Sequence, residues 1–268
     1  MRRSQCCIIH HHLLRGEELT PVARNPQRGG STTEAKFTEA DALTHPILTH
    51  LNTVQAERES RRVSPDLHAR VQAVKDYQQR RFATTYADLL ADPRYRPAAR
   101  FFLDELYGPA DFSQRDAQFA RVVPALVRLF PDNIVATVTT LTTLHALSEN
   151  LDSEMGGQIV STELTAAEYT AAWQATARAS DRRLQIDLML SVGSSLDNLT
   201  RKPLVRASLL MMRGPARVAG LGELQTLLET GFEAFRSMNG AQEFLATVRQ
   251  RETDLCNWLF EHSGASPM

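Results

Sequence analysis

From about residue 38 onward the chain repeats its apolar residues at helical spacing, and no stretch shows the sustained alternation of a half-buried strand. After Ser64-Pro65, a capping residue with proline at the first helical position, Leu67, Val71, Val74, Tyr77, Phe82, Tyr86 and Leu89 recur every three to five residues. Asp92-Pro93 closes that helix. Upstream, Thr38 with Asp41 reads as a helix start, and Pro46 separates it from a stretch running to about Ser60. Downstream, a short helix over Arg96 to Tyr107 stops at Gly108-Pro109, and Ser113 with Asp116 caps the next, kinked at Pro124 and ended by Pro131. Asp132 opens a helix to about Glu154, before Gly156-Gly157, and Thr165 with Glu168 forms a capping box ahead of Tyr169 and Trp173. Further helices start near Asp181, Pro203, Gly222 and Ala241, the second of them broken at Gly214-Pro215. Hairpin dipeptides between alternating segments are missing, and the short connections imply antiparallel neighbours. The pattern predicts an all-α protein, a single globular bundle of about eight or nine helices over residues 37–262, with Gly156-Gly157 the one tenable internal boundary. Residues 1–36 carry no period and read as a disordered leader, and 263–268 as a disordered tail.

Composition narrows the class. The 268 residues are 43% hydrophobic and 7% aromatic, enough for a core without disulfide or metal staples. Thirty basic residues against 31 acidic ones give a net charge of −1, a poor match to a surface that neutralises phosphates, so no nucleic-acid partner is expected. No apolar run approaches the roughly 18 residues of a membrane span. Near the start, the apolar run from Cys6 to Ile9 is cut by His10, His11 and His12 and followed by Glu17 and Glu18, which a signal peptide would not tolerate. The three histidines read as a solvated tract. Cys6, Cys7 and Cys256 form no CxxC pair, and the odd count suits a reducing, cytoplasmic setting.

One helix carries a chemically suggestive face. Ile134, Val138 and Leu141 fall on a line that His145, Glu149 and Asp152 continue. Turned toward the core, these three could ligate a metal or supply an acid/base group, although no Glu-x-x-His pair of the di-iron bundles accompanies them. The competing account has Leu144, Leu147 and Leu151 take over the packing. His145 is then half-buried against a carboxylate, and Glu149 and Asp152 are solvated. His145, or His68 in the helix after Ser64, could also serve as an axial haem ligand, but neither stands in a CxxCH context. Arg213 and Arg217, among Gly214, Gly220 and Gly222 ahead of a helix, could hold an anion, with a tight interhelical turn as the plainer reading. Met211, Met212, Leu221 and Leu224 around the same turn suggest a self-association surface.

The segment FFLDELYGPADFSQRDAQFARVVP, Phe101 to Pro124, resembles a motif of the form FFL-x-x-LYGP-x-DFS-x-RD found in uncharacterised bacterial helical proteins. The stretch from Met211 to Leu245 is similar to the same group, and the resemblance implies a bacterial helical protein without an assigned activity. Read from the residues, Gly108-Pro109 ends one helix and Ser113 begins the next. Phe101, Phe102, Tyr107 and Phe112 can close the corner, with Asp104, Asp111, Arg115 and Asp116 pairing across it. The alternative is a ligand-recognising corner with Tyr107 and Arg115 as polar contacts.

No strong catalytic motif is present. The leading expectation is therefore a binding or interaction protein, taking a protein partner or a small ligand between helices and able to form a homo-oligomer. The rival is a metal- or haem-dependent enzyme working from the His145, Glu149 and Asp152 face.

Overall fold

A computed structural model describes residues 39–106, 112–262 and 264. The chain divides into two units, Met1–Lys36 and Phe37–Met268. The first unit, and with it the leader and its histidine tract, lies outside the described residues, as does most of the tail. Among the described residues the fold is all-α, with eleven helices where the periodicity suggests eight or nine, and it contains no strand. They are α1 (Glu39–Arg62), α2 (Pro65–Thr85), α3 (Ala87–Ala91), α4 (Arg96–Phe101), α5 (Ser113–Leu129) and α6 (Asp132–Gln158). Then come α7 (Ala166–Ala175), α8 (Ala179–Thr200), α9 (Pro203–Val218), α10 (Gly222–Ser237) and α11 (Gln242–Glu261). A π turn over Phe102–Leu106 extends α4. No described helix is long and apolar enough to cross a membrane.

The longest helix, α6, is the axis of the fold and packs along α1, α2 and α8, also meeting α5 and α7. Three apolar clusters surround it. Ile47 and Leu51 of α1 close on Val123, Val127 and Val135 of α5 and α6. Met155, Tyr169, Trp173, Leu255 and Leu259 fill the space among α6, α7 and α11. Phe82, Tyr86, Phe102, Phe235 and Phe244 anchor the third, where α2 and the π turn meet α10 and α11.

Several helix boundaries differ from the periodic reading, and packing explains most of them. Pro46 lies inside α1 without ending it, because buried Ile47, Leu51 and Val54 in the following turns bind the helix to its neighbours. The predicted helix from Pro65 to Leu89 divides at Tyr86, whose ring is fully buried and whose hydroxyl donates to Glu252 Oε1 of α11 at 2.8 Å. That same oxygen accepts from Arg81 at 2.5 Å, so α2 and α11 are fastened at one carboxylate. Ser113 is the first residue of α5 and not its cap, a place taken by Phe112; its hydroxyl accepts from Arg58 Nη1 at 3.4 Å. Gly214-Pro215 lies within α9, which continues to Val218. Thr165 and Glu168 do form a reciprocal capping box, with Thr165 Oγ1 accepting from the Glu168 amide at 3.3 Å.

The Gly156-Gly157 pair is no boundary either, since α6 runs through it to Gln158. A Cβ at position 156 would stand 2.4 Å from Val71 Cγ2 and 3.2 Å from the Val71 amide nitrogen, so glycine there sets how closely α2 approaches α6. A Cβ at position 157 would meet nothing within 4 Å. Adjacent glycines therefore respond oppositely to one methyl group. Gly156→Ala is expected to lower stability by about 1–3 kcal/mol through overpacking. Gly157→Ala should raise it by up to about 1 kcal/mol through helix propensity. Urea unfolding of the two variants checks both signs.

Candidate functional site

The His145, Glu149 and Asp152 face of α6 turns inward, as the apolar line ahead of it suggests, and Glu149 and Asp152 are buried, not solvated. What meets them is cationic. Glu149 Oε1 accepts from Lys75 Nζ of α2 at 3.0 Å and from Arg58 Nη2 of α1 at 3.2 Å, while Oε2 is paired with Arg61. Arg61, itself buried, also gives Nη1 to Ser153 Oγ at 3.1 Å and to the Glu149 carbonyl at 3.4 Å. Burial alone would raise the Glu149 carboxyl, but Lys75, Arg61 and Arg58 outweigh it and hold the group down at about 2.

One turn along, Asp152 accepts from Gln78 Nε2 at 3.1 Å and lies 4.0 Å from Lys75 Nζ. Burial dominates there and pushes its carboxyl above the usual range, with Lys75 opposing. Arg182 of α8 is buried nearby, its guanidinium 4.0 Å from the Trp173 ring and its Nη1 donating to Gln185 Oε1 at 3.1 Å. The Nε and Nη2 groups of Arg182 make no hydrogen bond, and burial lowers the guanidinium's pKa.

At the other end of the face, Nε2 of half-buried His145 lies 2.8 Å from Asp116 Oδ2 and donates to it. Asp116 opens the first turn of α5 and also binds Arg58 Nη1 at 2.8 Å. Burial favours its neutral form, but the His145 hydrogen bond and the surrounding charges prevail and the carboxyl stays below its ordinary range. Two groups of residues separately conspicuous in sequence, the α6 face and the start of α5, are thus joined through Asp116, His145 and Arg58.

The rest of the Phe101–Pro124 corner divides. Arg115 gives Nη1 to Glu105 Oε2 at 2.8 Å and covers the Phe112 ring at 3.8 Å, burial lowering its pKa. Asp104 is exposed. Phe101 and Phe102 meet edge to face at 6.4 Å, and Phe102 also packs against Phe235 and Phe244, which ties this part of the corner to the core. Tyr107 and Asp111, together with Gly108-Pro109, lie outside the described residues.

Among the other positions marked in sequence, Arg213 pairs bidentately with Glu229 at 2.6–2.8 Å. Arg217 is exposed near the end of α9, and the Leu224 amide in the first turn of α10 donates to Gln118 Oε1 at 3.1 Å. His68 is exposed on α2, and Cys256 is a buried free thiol whose pKa burial raises. Of Met211, Met212, Leu221 and Leu224, the two methionines are exposed and Leu224 is buried. A half-open cleft of about 160 Å³ lies between α6 and α8, lined by Asn133, Thr137, Ser195 and Asn198. It is well below the roughly 300–1,000 Å³ of small-molecule pockets.

Chemically, the α6 face is a chain of alternating charges in which cations and donors of α1 and α2 take the carboxylates of α6, and Asp116 of α5 accepts from His145. No group of three or more His, Cys, Asp or Glu side chains among the described residues is arranged to hold a metal ion. Arg58, Arg61, Lys75 and Gln78 carry no motif in sequence. The only signal for them was the need of a buried Glu149 for neutralisation, which does not say which of 30 basic residues provides it.

Glu149 and Asp152 should titrate against stability with opposite sign. Glu149 ionises more easily folded than unfolded, so its contribution is complete above about pH 4.5 and drains away as pH falls toward 2. Glu149→Gln is expected to cost about 3–5 kcal/mol at pH 7 by leaving buried cations unpaired. Its acid-side loss of stability should also be shallower than that of the wild type. Asp152 resists ionising in the fold, so Asp152→Asn, which keeps an acceptor for Gln78, should be neutral or stabilising at pH 7. Thermal unfolding of both variants from pH 3 to 8 checks the pair.

Compared with curated proteins and with solved structures, the chain finds no match in either. The family model described as domain of unknown function (DUF8198) matches residues 57–266, a span that takes in Arg58, Arg61 and every later member of the ion network, and the chain belongs to that family.

Proposed function

We propose that this protein works by docking a protein partner on helix α9, as an interaction protein of the reducing bacterial cytoplasm and not as an enzyme. What supports the reading is one observation: among the described residues, nothing covers the apolar side of α9. Leu204, Ala207, Met211, Gly214 and Val218 follow one another at intervals of three, four, three and four, the spacing of a helix seam. All five are exposed, with Leu204 at 79%, Met211 at 73% and Val218 at 92%. Only Ala216 of α9 is buried, and the helix rests mainly on α10. Arg206 to Glu233, Arg213 to Glu229 and Gln225 to the Leu209 carbonyl hold that hairpin together. Met212 of α9 and Leu228 of α10 are exposed as well. Scattered exposed leucines are ordinary, but a continuous seam of this length is not.

The rival metal- or haem-dependent enzyme draws less from the geometry. Glu149 is engaged by three cations, so it could ligate a metal only by giving up an ion pair, and the Asp116 hydrogen bond occupies Nε2 of His145.

Photocrosslinking tests the reading. A photoreactive amino acid placed at Met211 of the full chain in growing cells should give a discrete protein adduct, and the same group at exposed, isolated Val160 should not. Equal, diffuse labelling from both positions, or none from Met211, would sink the docking function.

A further inference from the structure

We infer that the occupant of the α9 face is a second copy of this chain, seated antiparallel about a two-fold axis at Met211. The inference rests on the docking function proposed for α9 and specifies its partner. The seam is a near-palindrome about Met211. Leu204, seven residues before it, is mirrored by Val218, seven after, and Ala207 and Ser208 are mirrored by Pro215 and Gly214. In an antiparallel pair, each large end residue of one copy meets the large end residue of the other. Ser208 falls opposite Gly214, where the backbones can approach, and Met211 meets Met211. A Cβ at Gly214 would touch nothing within 4 Å, so the space for that approach is open.

Charge points the same way. From Pro203 to Val218 the helix has three arginines and no acidic residue. Arg206 and Arg213 are already neutralised by Glu233 and Glu229, and Arg217 also acts on Glu229. The face thus asks for a neutral, apolar complement, which a second α9 provides, in preference to an acidic protein or an anionic lipid surface. The seam spans 14 helical steps, about 21 Å, with three large apolar side chains per copy. A concentration-dependent dimer with Kd on the order of 10 μM is expected. Since the α9 arginines are paired within each copy, its affinity should depend little on salt.

Sedimentation equilibrium of the full chain tests the inference directly. The wild type should pass from monomer toward dimer between about 1 and 100 μM. Met211→Arg should stay monomeric with an unchanged melting curve, as expected of an exposed position. Register is read by thiol pairing in a C6S/C7S background, with Cys256 buried. Under mild oxidation Met211→Cys should link to itself. Leu204→Cys should link to Val218→Cys in a mixture of the two proteins and not to itself. A wild type that remains monomeric at about 100 μM, or a dimer that Met211→Arg leaves intact, overturns the inference. So does binding of the monomer to phosphatidylglycerol vesicles that is lost in high salt. The Met211 photoadduct separates this outcome from failure of the docking function. A product of about 60 kDa, twice the 30.0 kDa chain, supports the second copy. A discrete product of any other mass overturns the second copy and leaves docking intact, and no adduct overturns both.

Discussion

The carboxylate of Glu149 sits among three cations from two other helices, and the arrangement of α1, α2 and α6 depends on that neutralisation. Apolar packing can bring helices together, but it tolerates sliding. A carboxylate held by Arg58, Arg61 and Lys75 does not, because a shift of one turn would strand charge in the interior. The same logic recurs where α2 meets α11, with Glu252 shared by Arg81 and Tyr86. Buried acids on long helices, each clamped by residues far away in sequence, act as registration points for the bundle.

This view also accounts for what could be read in the sequence. Periodicity located the helices because burial imposes it, and the Thr165–Glu168 box was visible because capping is a local interaction. Helix ends at Pro46, Gly156 and Pro215 were misplaced because local breakers lost to tertiary contacts. The sequence marks Gly156 only as a glycine, and it takes Val71 of α2 to show that the position serves close approach. The His145, Glu149 and Asp152 line was legible as a helix face, but its partners were not. Arg58 and Arg61 are i, i+3 neighbours near the end of α1, a pattern equally at home on a solvated surface.

The molecule places its two unusual features far apart in kind. Along α6, polar groups are inside and nearly all satisfied. Along α9, apolar groups are outside and uncovered. The first is the condition for a unique fold. The second leaves α9 with an apolar surface that its own helical neighbours do not use.

The start of the family match at residue 57 falls inside α1, which begins at Glu39. The ion-pairing end of that helix is shared with the family model, whereas Ile47, Leu51 and Val54 lie ahead of it. Ile47 and Leu51 cover Val123, Val127 and Val135 on α5 and α6. A protein trimmed to the matched residues would keep every charge clamp on Glu149 yet present a fresh valine-rich surface to water. The packing unit therefore takes in the first 18 residues of α1, which sequence similarity alone would cut away.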